Sequence, residues 1–303
     1  MKAATFKTYL QAEGKSKSTV ERYYTHAIHF ISWLDGDNTE IENATAKEVL
    51  AYLNQLQKQG DSNTTRNLKL NAIKHFFNYQ VRNGHRSDNP IQHLKLKGIQ
   101  QKKLYPILTP QELQQLHDDY SPTHTLSQKR NRTILSLMIH QGVTTAEVNA
   151  LKANDLKLRE GEIYIAGSRK SNERTLELKS HQILDLMEYS MQLRPELIKS
   201  QSDPTNDYLF LTVPMIGKAK AVEKQGRERL QIWKELSKTV KKQNPHFINF
   251  KQVRTSVITH WLKHYNLREV QYRAGHRYVS STEAYLVNQI DDLQADIDKF
   301  HPI

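Results

Sequence analysis

The sequence predicts a mainly α-helical protein in two parts: an N-terminal helical bundle, then a longer helix-rich part that carries a small antiparallel sheet. Three observations predict this. Apolar residues recur at three- and four-residue steps through most of the chain, the spacing of helices with one buried face. Strand-like alternation is confined to Glu162-Ile-Tyr-Ile-Ala166 and Thr175-Leu-Glu-Leu178. The run Lys97-Gly-Ile-Gln-Gln-Lys-Lys103 is polar, basic and followed by Pro106, as a linker is. Together they set a first domain at residues 1–97, a linker at 98–107 and a second domain at 108–303, and 303 residues suffice for two domains.

In residues 5–96 the turn-forming stretches Gly14-Lys-Ser-Lys-Ser18, Asp35-Gly-Asp-Asn38, Gly60-Asp-Ser-Asn63 and Asn83-Gly84 divide the helical pattern into four or five helices. The helix over 19–34 carries Tyr23, Ala27, Phe30, Ile31 and Leu34 on one side, residues 46–56 repeat the pattern, and 64–81 turn Leu68, Ile73, Phe76, Phe77 and Val81 inward. Two helix starts are basic and rich in hydroxyls. Lys15, Ser16, Lys17 and Ser18 precede one; Ser62, Asn63, Thr64, Thr65 and Arg66 open another, with Lys69 a turn further on. Such N-termini bind phosphate, and the same residues also serve as ordinary N-caps.

The second domain starts at Thr109-Pro110-Gln-Glu112, which has the cap, first-turn proline and acidic third position of a helix. Residues 129–139 read as a helix with Ile134, Leu137 and Met138 inward; after His140-Gln-Gly142 another helix holds Ala146, Val148 and Leu151 and ends near Asp155. The two strands then enclose a cationic loop, 167–174, that contains Arg169, Lys170 and Arg174. Residues 182–193 and 227–242 read as helices, with turn-rich connections at 200–204 and 213–218. The basic run 218–229 suits either a DNA groove or a solvated surface, and Ile290, Leu293, Ile297 and Phe300 share one face of a last helix.

The net charge is +12 and the pI is near 9.5. Residues 1–97 hold 14 Lys and Arg against 9 Asp and Glu, and the remainder 30 against 23, so the surplus is spread over both domains, as suits a clamp around a polyanion. There is no cysteine, which excludes disulfides and thiolate metal sites. No apolar run approaches the roughly 20 residues of a membrane span and the N-terminus lacks a signal-peptide core, so a cytoplasmic protein is expected.

The chemistry concentrates between residues 247 and 287. Val253, Val257, Trp261, Leu262 and Tyr265 mark one buried helix face, and Lys251 and Arg254 share another. Arginine offers a planar fork matched to two phosphate oxygens, and lysine a movable point charge. After a helix at 267–274, Gly275-His276 reads as a helix end, and Ser280-Ser281-Thr282 as the cap of a short helix that bears Tyr285. An anion site with a tyrosine able to attack is the result.

These residues resemble the C-terminal catalytic box of the tyrosine recombinases, or phage integrase family. There [His/Lys]-x-x-Arg is followed after about twenty residues by Gly-His, and the nucleophilic tyrosine comes nine residues after that His, as in Lys251-x-x-Arg254, Gly275-His276 and Tyr285 here. The first domain is similar to the family's SAM-like, core-binding DNA clamp, including Asn89-Pro90-Ile91. The resemblance implies site-specific DNA recombination, integration or transposition of a mobile element without metal or nucleotide cofactor. Tyr285 would attack a phosphodiester to give a 3′-phosphotyrosyl link; Arg254 would hold the phosphate oxygens; Lys251 and His276 would steady the phosphate and assist proton transfer. Lys170 would protonate the leaving 5′ oxygen, although a gapless count puts Ser168 at that place. Lys15, Lys17, Thr64, Arg66, Lys69, Arg169 and Arg174 are expected on DNA. The implied partners are double-stranded DNA and three further copies in a tetramer, alone or beside an accessory recombinase, in the nucleoid; the last helix then docks on a neighbour or packs on its own chain.

One departure bears on mechanism. Where the family usually reads Thr-Gly-Leu-Arg, with an arginine that grips the reacting phosphate, this chain reads Gln141-Gly142-Val143-Thr144. Losing one preorganised donor costs roughly 100- to 1,000-fold in rate. Either another arginine (Arg169, Arg174, Arg130 or Arg132) enters the gap, or the enzyme is slow, or the chain is a cleavage-deficient, DNA-binding accessory protein.

Overall fold

Four helices build the N-terminal part: α1 (Ala3–Ala12), α2 (Lys17–Gly36), α3 (Ala46–Lys58) and α4 (Asn63–Arg82). The structure, a computed structural model, describes residues 3–98, 105–120, 126–213 and 227–286, with side chains from residue 6 and, in the last segment, from residue 232. The chain divides into two units, Met1–Lys103 and Leu104–Ile303.

In the first unit α2 and α4 are the two longest elements and pack on one another, because Ala27, Phe30 and Leu34 of one meet Ile73, Phe76 and Phe77 of the other. Val49, Tyr52 and Leu53 of α3 close one side, Phe6 and Leu10 of α1 the other, and Ile91, in the chain that leaves α4, is buried in the same cluster as the α3 residues. Leu70 rather than Leu68 takes the fully buried place on α4. The caps follow local chemistry: Ser16 and Ser62 each accept from the amide three residues on, and Thr45 with Glu48 forms a capping box.

The second unit opens with α5 (Pro110–Asp118), begun by the Thr109–Glu112 capping box, and α6 (Leu126–Gln141). Ile134, Leu135, Leu137 and Met138 are all 0–1% exposed, so α6 is enclosed nearly all round and serves as the core's axis. After the short α7 (Thr145–Ala150) come β1 (Leu156–Lys157), β2 (Glu162–Ile165) and β3 (Arg174–Glu177), in the order β1-β2-β3, all antiparallel. The third strand, β1, has only two residues, too few to show an alternation in sequence. In register, Ile163 faces Leu176 and Ile165 faces Arg174, which gives position 174 an inward, core-side place.

A helix follows in two pieces, α8 (Ser180–Glu188) and α9 (Arg194–Lys199), joined by a π turn at Tyr189–Leu193. Pro195 has no amide hydrogen to give back to the preceding turn, and the wider turn absorbs the defect. α10 (Arg227–Gln243), α11 (Phe250–His264), α12 (Leu267–Ala274) and α13 (Ser280–Glu283) are the remaining helices among its described residues. α11 lies along α6 with Val253, Val257 and Ile258 buried, whereas Tyr265 is 38% exposed, just past the helix end. Most of 218–229, the helix at 290–300 and most of the linker lie outside the described residues.

Arg66 changes role on folding. It is 7% exposed; Nη1 donates to Leu53 O (3.4 Å) and Gln57 Oε1 (2.8 Å), and Nη2 to Asn63 Oδ1, so the residue expected on DNA is turned inward to hold α4 against α3. Arg66→Ala should therefore lower unfolding stability by about 1–3 kcal/mol, measured by urea denaturation, because one buried and two partly buried hydrogen bonds lose their donor.

Candidate active site

The site grows from the turn after α6. Gly142, in the left-handed region at φ 57°, approaches the Trp261 ring so closely that an added Cβ would stand 3.1 Å from it. The chain then enters α7 at Thr144, whose Oγ1 accepts from the Glu147 amide at 3.1 Å while the Glu147 carboxylate takes the Thr144 amide at 2.8 Å and hydroxyl at 3.0 Å. This capping box commits Thr144 to the helix and turns Glu147, 9% exposed, back into the interior.

Two arginines share that carboxylate. Arg174, from β3, donates Nη1 to Oε1 at 2.7 Å, and Arg254, from α11, stands with Nη1 3.7 Å from Oε2. Burial opposes ionisation of Glu147, but the Arg174 hydrogen bond and charge, with Arg254 and the Thr144 amide, hold its carboxyl below the usual range. Arg254 is itself fixed by carbonyls: Nη1 donates to Gly142 O, and Nη2 to Ala274 O at 2.7 Å. Its side chain keeps 12% exposure, an edge left for a ligand.

His276 follows the left-handed Gly275 that ends α12. Its Nε2 faces Arg254 Nη2 at 3.4 Å and its Nδ1 faces Oγ1 of the fully buried Thr282 at 2.9 Å. Because a guanidinium only donates, Nε2 is the accepting nitrogen and Nδ1 carries the proton. Burial, reinforced by the charges of Arg254 and Arg174, pulls the His276 pKa down to about 4. The Tyr285 ring stacks on this neutral imidazole, centroids 5.7 Å apart and planes 15° from parallel, and its hydroxyl lies within reach of the Arg254 guanidinium. Tyr285 sits in the turn after α13, and Thr282 holds the histidine instead of capping a helix.

The β2–β3 hairpin folds onto the same turn. Asn172 N donates to Gly275 O at 2.9 Å, Ser171 and His276 form an isolated bridge, and Arg277 Nη2 reaches Ser168 O at 3.1 Å. Tyr272 accepts from Thr175 N and donates to Thr175 O through one hydroxyl. Lys170 is thereby carried to the rim of a cavity of about 380 Å³, lined by Thr144, Glu147, Ser168, Arg254 and His276 among others.

Of the residues expected to act together, the structure groups Arg254, His276, Tyr285 and Lys170. Lys251 stands apart on the exposed side of α11, its ammonium 5.6 Å from the Tyr105 ring, and it does not line the cavity. Arg174 corrects the expectation of a groove-facing cation: its side chain is fully buried, with Nε on Arg273 O at 2.8 Å. Of the four arginines considered for the gap at 144, Arg174 alone reaches the site's wall; Arg130 is buried on Leu211 O, Arg132 lies near His117, and Arg169 is exposed on the loop. Lys15, Lys17 and Thr64 stand at the helix starts of the first unit, and Lys69 is paired with Asp61 at 2.6 Å. Sequence reasoning missed Glu147, although Thr144-x-x-Glu147 has the same capping-box spacing as Thr109-x-x-Glu112. Thr282 as the histidine's partner had no local signal.

Comparison with known proteins adds the following. The family model described as "Phage integrase family" matches residues 106–290, and "Phage integrase, N-terminal SAM-like domain" matches residues 3–84. Tyrosine recombinase XerA of Thermococcus kodakarensis is 26% identical over 95% of this chain and 91% of its own, and Tyrosine recombinase XerC of Oceanobacillus iheyensis 26% over 98% and 95%. The TnP I resolvase of Bacillus thuringiensis is 25% identical over 93% and 94%. Among solved structures, XerH recombinase bound to a palindromic difH substrate superposes with a TM-score of 0.69 at 19% identity, over 97% of this chain and 83% of that one. The Tn1549 transposon integrase with circular intermediate DNA gives 0.63 at 15%, over 93% and 94%; at such identities these two likenesses speak for the fold.

Two outcomes follow from the geometry. Protonating His276 is disfavoured in the folded protein, so the unfolded chain takes up its proton first as pH falls; stability should decline from about pH 6.5 toward 4, a slope that His276→Gln reduces in thermal melts across that range. Gly275→Ala should lower stability by at least about 1–3 kcal/mol and disturb the hairpin's backbone amide signals, because φ is +67° and the new Cβ would meet Arg174 Nη1 at 2.3 Å.

Proposed function

The chain belongs to the phage integrase family, and from that premise we propose that it recombines duplex DNA at specific sites with Tyr285 as the nucleophile. One observation carries the reading: the Tyr285 ring lies on the neutral His276, whose Nε2 faces the same Arg254 guanidinium that the tyrosine hydroxyl approaches. A phosphodiester that enters the cavity meets Arg254, which has a partly exposed fork and a rigid carbonyl mount.

The phenol oxygen attacks phosphorus and the bond to the 5′ oxygen breaks, leaving a 3′-phosphotyrosyl link and a 5′ hydroxyl. His276 Nε2, an accepting nitrogen in the free protein, takes the phenolic proton. Lys170, exposed at the end of the hairpin, gives a proton to the leaving oxygen. A 5′ hydroxyl from a second strand reverses these steps and exchanges the strands. Among the residues that line the cavity Arg254 is the one arginine, so cleavage runs slower than with a second preorganised donor at position 144, by roughly 100- to 1,000-fold.

The proposed partner is duplex DNA, held by phosphate contacts from Lys15, Lys17 and Thr64 at the helix starts and from Arg169 on the hairpin loop. The proposed assembly on DNA is a homotetramer. That the relatives are Xer recombinases and a resolvase supports strand exchange over nicking alone.

Covalent trapping tests this. On nicked duplexes tiled from the DNA flanking the gene, the wild-type protein should form a denaturant-stable adduct and Tyr285→Phe none, with duplex affinity changed less than about threefold. Binding to one site with no wild-type adduct would assign the chain to the DNA-binding accessory class instead.

A further inference from the structure

Glu147 presents a difficulty for the site. It is a buried carboxylate whose Oε2 lies 3.7 Å from Nη1 of Arg254, the one guanidinium among the residues that line the cavity. An unconstrained carboxylate at that distance closes on the arginine, and a closed ion pair competes with a phosphate for the same donors. Two contacts prevent closure. The Thr144 amide and hydroxyl hold Oε2 at 2.8 and 3.0 Å, and Arg174 holds Oε1 at 2.7 Å.

Arg174 is built for this task. It is the inward residue at the start of β3, its side chain has no exposure, and its Nε is fixed on Arg273 O. Its guanidinium fits only because residue 275 has no Cβ, which would stand 2.3 Å from Nη1 and 2.9 Å from Cζ. Nη2 is buried with no hydrogen-bond partner, so the charge is not cancelled on that side, and Gly275 itself lines the cavity. A fixed cation therefore stands directly behind the cavity wall.

We propose that Arg174 is a positioning residue of the phosphate site: it engages Glu147 so that Arg254 stays open to an anion, and it adds fixed positive charge behind Gly275. The step from anion to scissile phosphate rests on the function proposed above; the competition between Arg254's two possible partners does not.

The test compares wild type, Arg174→Met and the double variant Arg174→Met, Glu147→Gln. Inorganic phosphate is titrated into each full-length protein while the His276 ring signals are followed by NMR, and adduct formation is timed on the nicked duplex. Thermal melts show which variants are folded. In Arg174→Met, Glu147 turns to Arg254, and phosphate affinity and adduct rate should both fall about 10- to 100-fold, the range for a charge-assisted hydrogen bond. The double variant removes the competing charge and should recover at least about tenfold over the single one. A purely structural Arg174 confines the loss and its recovery to the melting temperatures, because stranding the buried Glu147 carboxylate is destabilising and removing both partners relieves it, and it leaves the phosphate affinity of the folded protein at the wild-type level in both variants. That result, a double variant no better than the single in phosphate affinity, or one that does not fold, overturns the proposal. So does a wild-type protein that takes no phosphate beside His276. Phosphate binding that follows the predicted order without any adduct would uphold the role of Arg174 and sink the recombinase reading alone.

Discussion

The buried carboxylate of Glu147 is the constraint on which the rest of the second unit's site depends. One oxygen closes the cap of α7 on Thr144, and the other anchors Arg174 from the sheet, with Arg254 of α11 alongside. Three elements distant in sequence are thus referred to a single charged group. A buried ion left with one partner is costly, so these elements keep their places together. Local capping chemistry and the electrostatics of the anion site are here the same set of bonds.

The second anchor is the turn at Gly275. Its left-handed backbone ends α12, its carbonyl takes Asn172 from the hairpin, and its missing Cβ leaves the space that the Arg174 guanidinium fills. The next residue, His276, is kept neutral by burial and by the two arginines, and is oriented by Thr282 and covered by the Tyr285 ring. Neutrality matters chemically. In the proposed step an imidazole already protonated would have no lone pair for the phenol's proton, whereas this one has an accepting nitrogen beside the guanidinium. The hairpin that carries Lys170 is tied at its base by Tyr272 and near its tip by Asn172 and Arg277, so its lysine reaches the cavity from a braced loop.

Much of this was legible in one dimension. The helical repeats located α2, α3, α4, α6, α11 and α12 within a few residues, because each buries one stripe and that stripe recurs at the helical period. The spacing Lys251-x-x-Arg254, Gly275-His276, Tyr285 pointed to the residues of the site, and three of its four side chains do meet: Arg254, His276 and Tyr285. Two readings failed for a common reason. Arg66 and Arg174 both look like groove-facing cations in sequence, since a charge beside other polar residues is usually solvated, yet each is buried with its donors on carbonyls or carboxamide and carboxylate oxygens. Lys251, by contrast, lies on α11's solvent side, and helical periodicity does not say which polar face looks into a cavity.

The sequence by itself determined the fold class and the family and pointed to Tyr285, because those reside in periodicity and in spacings that survive without a partner. The tertiary structure alone decided which cation stands behind the anion site. Position 174 is inward only through its register opposite Ile165, and Glu147 lies in reach only because α7 turns it into the interior. Such a contact joins residues 27 apart through a hairpin, a cap and a glycine, and no local pattern along the chain encodes that distance.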